Sequence, residues 1–317
     1  GLLKTRYEKE EEEIWYENPK EGFDSTYVSL LMSCTKKKDL CKGAKLHAHI
    51  LKMGLLDKRS SYLGSALINM YAKCGNLQEA RQVLEDLSFR CVVSWNSLIS
   101  GYCQHRQSRE AIDCFEQMQN EGISPDVVTF TCILKACGKA KNVQMGKQIH
   151  EEIINRGLLE KDVVLGTALV DMYIKCDELK KAKEVLIELP VRDVVTWNAL
   201  IAGYAQEGQG HEALICFEWM QSEGFSSDLV TFLSVLKACG VSRDVDKGKL
   251  FHDEIVAKGL LEKDIAIGNA VIDMYAKCGA LTKAHQVLED LPFRNAISWN
   301  SLVAGYALEG QDHNALN

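Results

Sequence analysis

The sequence predicts an all-α solenoid of antiparallel helix pairs, and three observations carry that reading. The chain repeats itself every 102 residues: Trp95, Trp197 and Trp299 stand one period apart, as do Met70, Met172 and Met274, and Cys74, Cys176 and Cys278. Each period divides into units of 36, 31 and 35 residues, and periods in the thirties mark units that stack instead of closing around one core. Apolar residues fall at helical spacing, and no segment alternates with period two over a useful length, so strands are not expected.

In the unit 92–126, Trp95, Leu98, Ile99 and Tyr102 occupy one face of a first helix, and Ala111, Cys114, Phe115 and Met118 repeat the spacing in a second. The polar stretch Gln104–Ser108 between them is short enough to force antiparallel neighbours. Gly122 is placed to cap the second helix, and Pro125 prevents its continuation. The unit 194–228 keeps Trp197, Leu200, Ile201, Tyr204, Ala213, Cys216, Phe217 and Met220 in the same places. The 31-residue unit 163–193 has Leu169, Met172 and Tyr173 on its first helix, Ala182, Val185 and Leu186 on its second, and a shorter exit. In the next copy of that unit Gly279 ends the first helix, where this one carries Asp177. The 36-residue unit 127–162 runs through Phe130, Ile133, Leu134 and Cys137, then Gly146, Ile149, His150 and Ile153.

The array therefore reads as 24–60, 61–91, 92–126, 127–162, 163–193, 194–228, 229–264, 265–295 and a partial unit 296–317, with sixteen or more helices. The first unit is out of register by one: Cys34, His47 and Gly54 lie 103 residues before Cys137, His150 and Gly157. One pair buries too little apolar surface to stand alone, so stability must come from neighbours. Residues 1–23 differ, with an acidic run at Glu10–Glu13 that reads as a solvated helix.

Composition narrows the function. No apolar run is long enough to cross a bilayer, so a membrane partner is not expected. The twelve cysteines mostly recur with the repeat (Cys114/Cys216, Cys137/Cys239), too far apart to bridge, and read as small packing residues in a reducing compartment. Cys34 with Cys41, and Cys132 with Cys137, lack partners at zinc-finger spacing, so no metal or other cofactor is expected. His150-Glu151 and His211-Glu212 never extend to His-Glu-x-x-His, and neither Pro-Cys-x-x-Cys nor a phosphate-cradling glycine loop is present. This stretch is not an enzyme and has no small-molecule substrate. His47, His150 and His252 recur on the second helix of the long units, where packing explains them. The chain starts at Gly and stops within a unit, which reads as a fragment, so a missing transit peptide carries no address.

The phrases Val194-Val195-Thr196-Trp197-Asn198-Ala199-Leu200-Ile201, Asp171-Met172-Tyr173-Ile174-Lys175-Cys176 and Leu236-Lys237-Ala238-Cys239-Gly240, in units of 36, 31 and 35, resemble the P-L-S class of plant pentatricopeptide repeat proteins. The resemblance implies a right-handed superhelix whose first helices line a groove for single-stranded RNA, one base per unit. It implies that the residue after the first-helix aromatic and the unit's last residue choose the base. Asn96 with Asp126 and Asn198 with Asp228 then resemble uracil readers, and Thr167 with Asp193 a guanine reader. Asn269 with Asn295 resembles a cytosine-leaning pyrimidine reader, and Asn300 suggests a pyrimidine. Thr131 with Asp162 would suggest guanine, but the long units follow the pattern poorly; Ser65 with Cys91 and Leu233 with Asp264 match no clear pair. The implied target is N-U-N-G-U-N-Y-Y from Ser65 onward. Val93, Val128, Val164, Val195 and Val230 would sandwich the bases, and Lys73, Lys175 and Lys277 would meet phosphate. The same resemblance implies a mitochondrial or chloroplast address, C-to-U editing, and editing co-factor proteins or a deaminase as partners.

Two considerations weigh on the other side. An Asp before a helix is often an N-cap, and a lysine at a helix end is favoured by the dipole. The net charge of −7 opposes binding to phosphate, although residues 1–21 supply −3 of it, from four basic and seven acidic side chains. On the first helices Lys73, Lys135, Lys139, Lys175, Lys237 and Lys277 face Asp171, Glu207 and Asp273, a local +3. A protein-binding scaffold of the tetratricopeptide type is the alternative; constant unit lengths near 34 would mark it, and this chain lacks them.

Overall fold

The structure, a computed structural model, describes residues 23–56, 61–160 and 162–310 of the chain. The acidic run and the end of the last unit lie outside the described residues. Among the described residues there are 17 helices and no strand. The chain divides into two compact units, 1–136 and 137–317.

In the first compact unit α1 (Phe23–Lys37) pairs with α2 (Leu40–Lys52), α3 (Ser61–Lys73) with α4 (Leu77–Asp86), and α5 (Val92–Gln104) with α6 (Ser108–Asn120). The boundary falls within α7 (Val127–Ala140). In the second, α8 (Val143–Asn155) is followed by α9 (Val163–Lys175) paired with α10 (Leu179–Glu188), and α11 (Val194–Gln206) with α12 (Gly210–Ser222). Then come α13 (Leu229–Ser242) with α14 (Val245–Ala257), α15 (Ile265–Lys277) with α16 (Leu281–Asp290), and α17 (Ala296–Leu308). First helices touch first helices along each unit: α1, α3 and α5 in one, and α9, α11, α13, α15 and α17 in the other. This is the quasi-one-dimensional packing of a solenoid.

The apolar stripes expected from spacing are the core. Trp95 and Trp197 are 1% exposed, and Leu98, Ile99, Leu200, Ile201, Cys114 and Cys216 are fully buried. None of the twelve cysteines forms a disulfide. Burial pushes the thiols of Cys114, Cys216 and Cys239 up to about 12, so they pack as neutral apolar groups. Trp299, by contrast, is half exposed. The residues that would supply its unit's second helix lie outside the described residues.

The unequal unit lengths have a packing cause. The second helices α4, α10 and α16 have 10 residues, against 13 in α2, α6, α8, α12 and α14. Each short helix ends in an extended leucine (Leu87, Leu189 or Leu291) in place of a glycine-capped exit. That leucine folds back on the first helix where the other units carry Trp, Phe or, at Tyr27, Tyr, so the short units need glycine there. A Cβ on Gly166 would lie 2.8 Å from Leu189 Cδ2, and Gly64 and Gly268 meet Leu87 and Leu291 in the same way.

The recurrent histidines also pack. His47, His150 and His252 share hydrogen bonds from Nδ1 to the hydroxyls of Tyr71, Tyr173 and Tyr275 at 3.1, 2.9 and 3.1 Å, with the rings edge to face. Burial lowers all three imidazoles below their ordinary value of 6.5 and raises Tyr173 to about 12, so both rings stay neutral near pH 7. A depressed histidine stabilises the fold above the unfolded value and loses that contribution as pH falls from about 6.5 toward the folded one. Urea midpoints should therefore drop between pH 7 and pH 5, and drop less in a His150→Gln variant. Equal slopes in the two proteins would remove His150 from the pH dependence.

Candidate nucleic-acid interface

Each first helix begins where the preceding unit ends, and at several junctions the last residue of a unit lies within reach of the fifth residue of that unit's first helix. Asp126, Asp162, Asp193, Asp228, Asp264 and Asn295 all accept a backbone N–H of the helix that follows. They are N-caps, as their residue type favours. Three of them do more. Asn96 Nδ2 donates to Asp126 Oδ1 at 2.9 Å, Asn198 Nδ2 to Asp228 Oδ1 at 3.0 Å, and Asn269 Nδ2 to Asn295 Oδ1 at 3.4 Å. Capping and side-chain pairing are therefore one arrangement here, not alternatives.

Electrostatics follow from these bonds. Partial burial pushes the Asp228 carboxyl up, but hydrogen bonds from Thr231 and Asn198 together outweigh it and hold the group below its ordinary value. Asp228 is thus a carboxylate, an acceptor only. Asn96, Asn198 and Asn269 keep 9, 5 and 8% of their surface, so each presents little more than one polar edge. Asn300 is exposed, having no following unit among the described residues.

The other junctions differ. Thr167 and Asp193 are linked through Thr196: Oγ1 of Thr167 lies 2.8 Å from Oγ1 of Thr196, which donates to Asp193 Oδ1 at 2.6 Å. Thr167 also reaches its own helix at Val163 O. Thr131 donates to Val127 O, and Asp162 caps α9. Leu233 offers no hydrogen bond, and Asp264 caps α15 at Ala266. At the first short unit Ser65 Oγ lies 4.0 Å from Cys91 Sγ, a thiol where the other junctions hold a carboxylate or amide.

Within each compact unit, an exposed aliphatic side chain stands at the second residue of several first helices. Val93, Val128, Val164, Val195 and Val230 are between 50 and 65% exposed, and Ile297 matches them. Open aliphatic side chains at these six first-helix starts suit a flat ring with polar edges, although α3 carries Tyr62 and α15 Ala266 at the same place.

The lysines are less free than their spacing suggests. Lys175 pairs with Asp171, Lys277 with Asp273 at 2.7 Å, and Lys73 donates to Gln104 at 2.8 Å. These are exposed contacts one turn or one neighbour away, weak enough for a phosphate to compete with. The net +3 counted on the first helices already includes Asp171 and Asp273, which here pair directly with Lys175 and Lys277.

Sequence reasoning passed over one set of residues. The third residue of α5, α7, α11, α13 and α17 is Ser94, Thr129, Thr196, Thr231 or Ser298, each at most 1% exposed. Their recurrence was visible in the sequence; their contact with the preceding unit was not.

Comparisons with known proteins identify the repeats. The repeat-family models described as "PPR repeat family" and "PPR repeat" match residues 90–139 and 192–240, and 65–90, 128–158, 167–194, 230–260 and 269–295. The chain belongs to the pentatricopeptide repeat family. A mitochondrial pentatricopeptide repeat-containing protein of Arabidopsis thaliana is 38% identical over 292 residues, covering 92% of this chain and 46% of the relative. A chloroplastic one from the same plant is 36% identical over 291 residues, again 92% and 46%. The chain spans a little under half the length of these relatives. Among solved structures, the pentatricopeptide repeat protein PPR10 in complex with an 18-nt psaJ RNA element matches with a TM-score of 0.74 at 19% identity, covering 94% of this chain and 44% of that one. At that identity the likeness establishes the shared pentatricopeptide repeat solenoid.

Proposed function

We propose that this chain binds single-stranded RNA with one base per unit, reading N-U-N-G-U-N-Y-Y from Ser65 onward. The observation that carries the proposal is the hydrogen-bonded pair of Asn198 and Asp228, with its copy at Asn96 and Asp126, beside the exposed valines. Because Oδ1 of each Asp is committed to the cap, Oδ2 is the oxygen left for an outside donor. The Asn amide spends one N–H on the carboxylate and retains a second. A donor beside an acceptor matches the carbonyl and N3–H of uracil. At Thr167 the single hydroxyl proton goes to Thr196 or to Val163 O, so the oxygen faces outward as an acceptor. That suits a base edge rich in N–H, as guanine's is. Valines of successive units would cover the two faces of each base, and the lysines would meet phosphates after leaving their aspartates.

The unequal units support a reading as the P-L-S class, and the relatives support a mitochondrial or chloroplast address. Within that class the role we favour is choosing sites for C-to-U editing or other transcript processing, the chemistry supplied by co-factor proteins or a deaminase. With few lysines at the face, the salt slope should be shallow, about −0.7 per phosphate neutralised. Gel shifts with the predicted RNA, its single-base variants and the matching DNA test the reading. Asn198→Ala should weaken binding about tenfold, roughly 1–2 kcal/mol, and erase preference at the fifth nucleotide alone. Equal binding to every RNA and to DNA would instead favour a protein-binding scaffold.

A further inference from the structure

We propose that the base at each reading junction is set by three residues, the third being the buried hydroxyl at position three of the following unit's first helix. This rests on the RNA-reading proposal and names a positioning residue within it. Thr129 Oγ1 donates to Asn96 Oδ1 at 2.6 Å, Thr231 Oγ1 to Asn198 Oδ1 at 2.8 Å, and Ser298 Oγ to Asn269 Oδ1. At the Thr167 junction the link to Asp193 passes through the Thr196 hydroxyl.

The hydroxyl decides which end of the amide faces outward. An asparagine side chain can be turned end for end, exchanging its acceptor for its donors. Asp228 accepts only, so it draws the NH2 end of Asn198 toward itself and turns the carbonyl onto Thr231. Thr231 Oγ1 accepts the Asp228 backbone N–H at 3.1 Å, and its one proton has two acceptors in reach, Asn198 Oδ1 at 2.8 Å and Asp228 Oδ1 at 2.9 Å. The latter already takes the Thr231 backbone N–H and the Asn198 amide, so the carbonyl is the acceptor that needs it. Without that proton the buried Asn198 carbonyl has no donor, and the orientation that leaves an N–H for the base is lost. Thr231 is fully buried and cannot touch the base itself.

The distribution of the hydroxyl supports the assignment. Ser or Thr stands at position three of every 35- and 36-residue unit from residue 92 on: Ser94, Thr129, Thr196, Thr231 and Ser298. The 31-residue units carry Leu63, Leu165 and Ile267 there. Each 36-residue unit is followed by a 31-residue unit, so its junction lacks the hydroxyl. Of those units from residue 92 on, one has Leu233 with Asp264, which match no clear pair, and the other has Thr131, whose hydroxyl goes to Val127 O of its own helix. A side-chain cap serves the fold at all six Asp or Asn junctions, whereas the hydroxyl follows the Asn96–Asp126, Thr167–Asp193, Asn198–Asp228 and Asn269–Asn295 pairs and is missing after Asp162 and Asp264.

The test uses the whole chain and four single-stranded RNAs carrying U, C, A or G at the fifth nucleotide of the predicted target. Wild type should prefer U, and Asn198→Ala should show no preference; failure of either sinks the reading itself. Given those results, Thr231→Val should lower the preference for U over C by about fivefold or more, while Thr231→Ser keeps it. An unchanged preference in Thr231→Val overturns the inference, even if binding to all four RNAs weakens evenly. Circular dichroism follows the fold, and should Thr231→Val lose its helices, Thr129→Val is read at the second nucleotide. Loss of helices in both variants would make the hydroxyl structural and overturn the inference as well. In a converse arm, Leu233→Asn with Ile267→Thr should gain preference for uracil at the sixth nucleotide. Equal gain from Leu233→Asn alone also overturns it.

Discussion

Leu189→Ala is expected to destabilise the second compact unit by about 3 kcal/mol, within the usual range for a buried leucine truncated to alanine. Leu189 is 4% exposed and seals the end of α10 against Gly166 on α9. Gly166→Ala alone sets two effects against each other. Its Cβ would stand 2.8 and 3.0 Å from the two Leu189 methyls, which costs about 1–3 kcal/mol of overpacking, while alanine in a helix interior returns about 1 kcal/mol. In the double variant the new methyl enters space the leucine has left, so it should be more stable than Leu189→Ala by about 1 kcal/mol. Solenoids unfold less cooperatively than globular domains, so hydrogen exchange in α9 and α10 is a better measure than one global transition. A coupling energy below about 0.5 kcal/mol would mean that glycine and leucine act independently. The packing account of the 31-residue unit would then fail.

That account shows where sequence reading reaches and where it stops. The aromatic and aliphatic stripe of Trp95, Leu98, Ile99 and Tyr102 was legible because helical period, solenoid period and burial all select the same positions. The shorter exit of the 31-residue unit was legible as a length, but its partner glycine was not. Gly166 stands 23 residues before Leu189, and only packing joins them. The site divides in the same way. Asn198 and Asp228 could be named through resemblance, while position-three hydroxyls such as Thr231 read in isolation as helix-start residues. The charge count set Asp171 against the lysines, but that it pairs with Lys175 one turn away was not legible in a sum. The caps were weighed against base reading as if the two excluded one another, whereas Asp228 Oδ1 both caps the helix and accepts from Asn198, so capping does not exclude the pairing.

The same cap predicts the sign of a specificity change. In Asp228→Asn the new side chain should keep its oxygen on the backbone N–H of Thr231, as Asn295 does on Ser298 at 3.0 Å, because only an acceptor can cap. The group left facing the strand then changes from Oδ2, an acceptor, to Nδ2, a donor. Uracil brings N3–H to that position and would meet a donor with a donor. Cytosine brings a bare N3 and would be matched. Each side of the exchange is worth roughly 1.4 kcal/mol, about tenfold, so the ratio of uracil to cytosine binding should swing by about a hundredfold toward cytosine. Thermal stability should barely move, since Asn and Asp cap almost equally well. The chain carries its own comparison: Asn269 with Asn295 already has an amide at both places, and the wild-type protein should prefer cytosine at the seventh nucleotide. Titration with RNAs varied at the fifth and seventh nucleotides measures both at once. A variant that still prefers uracil at the fifth would mean that the outward atom of the capping residue does not face the base.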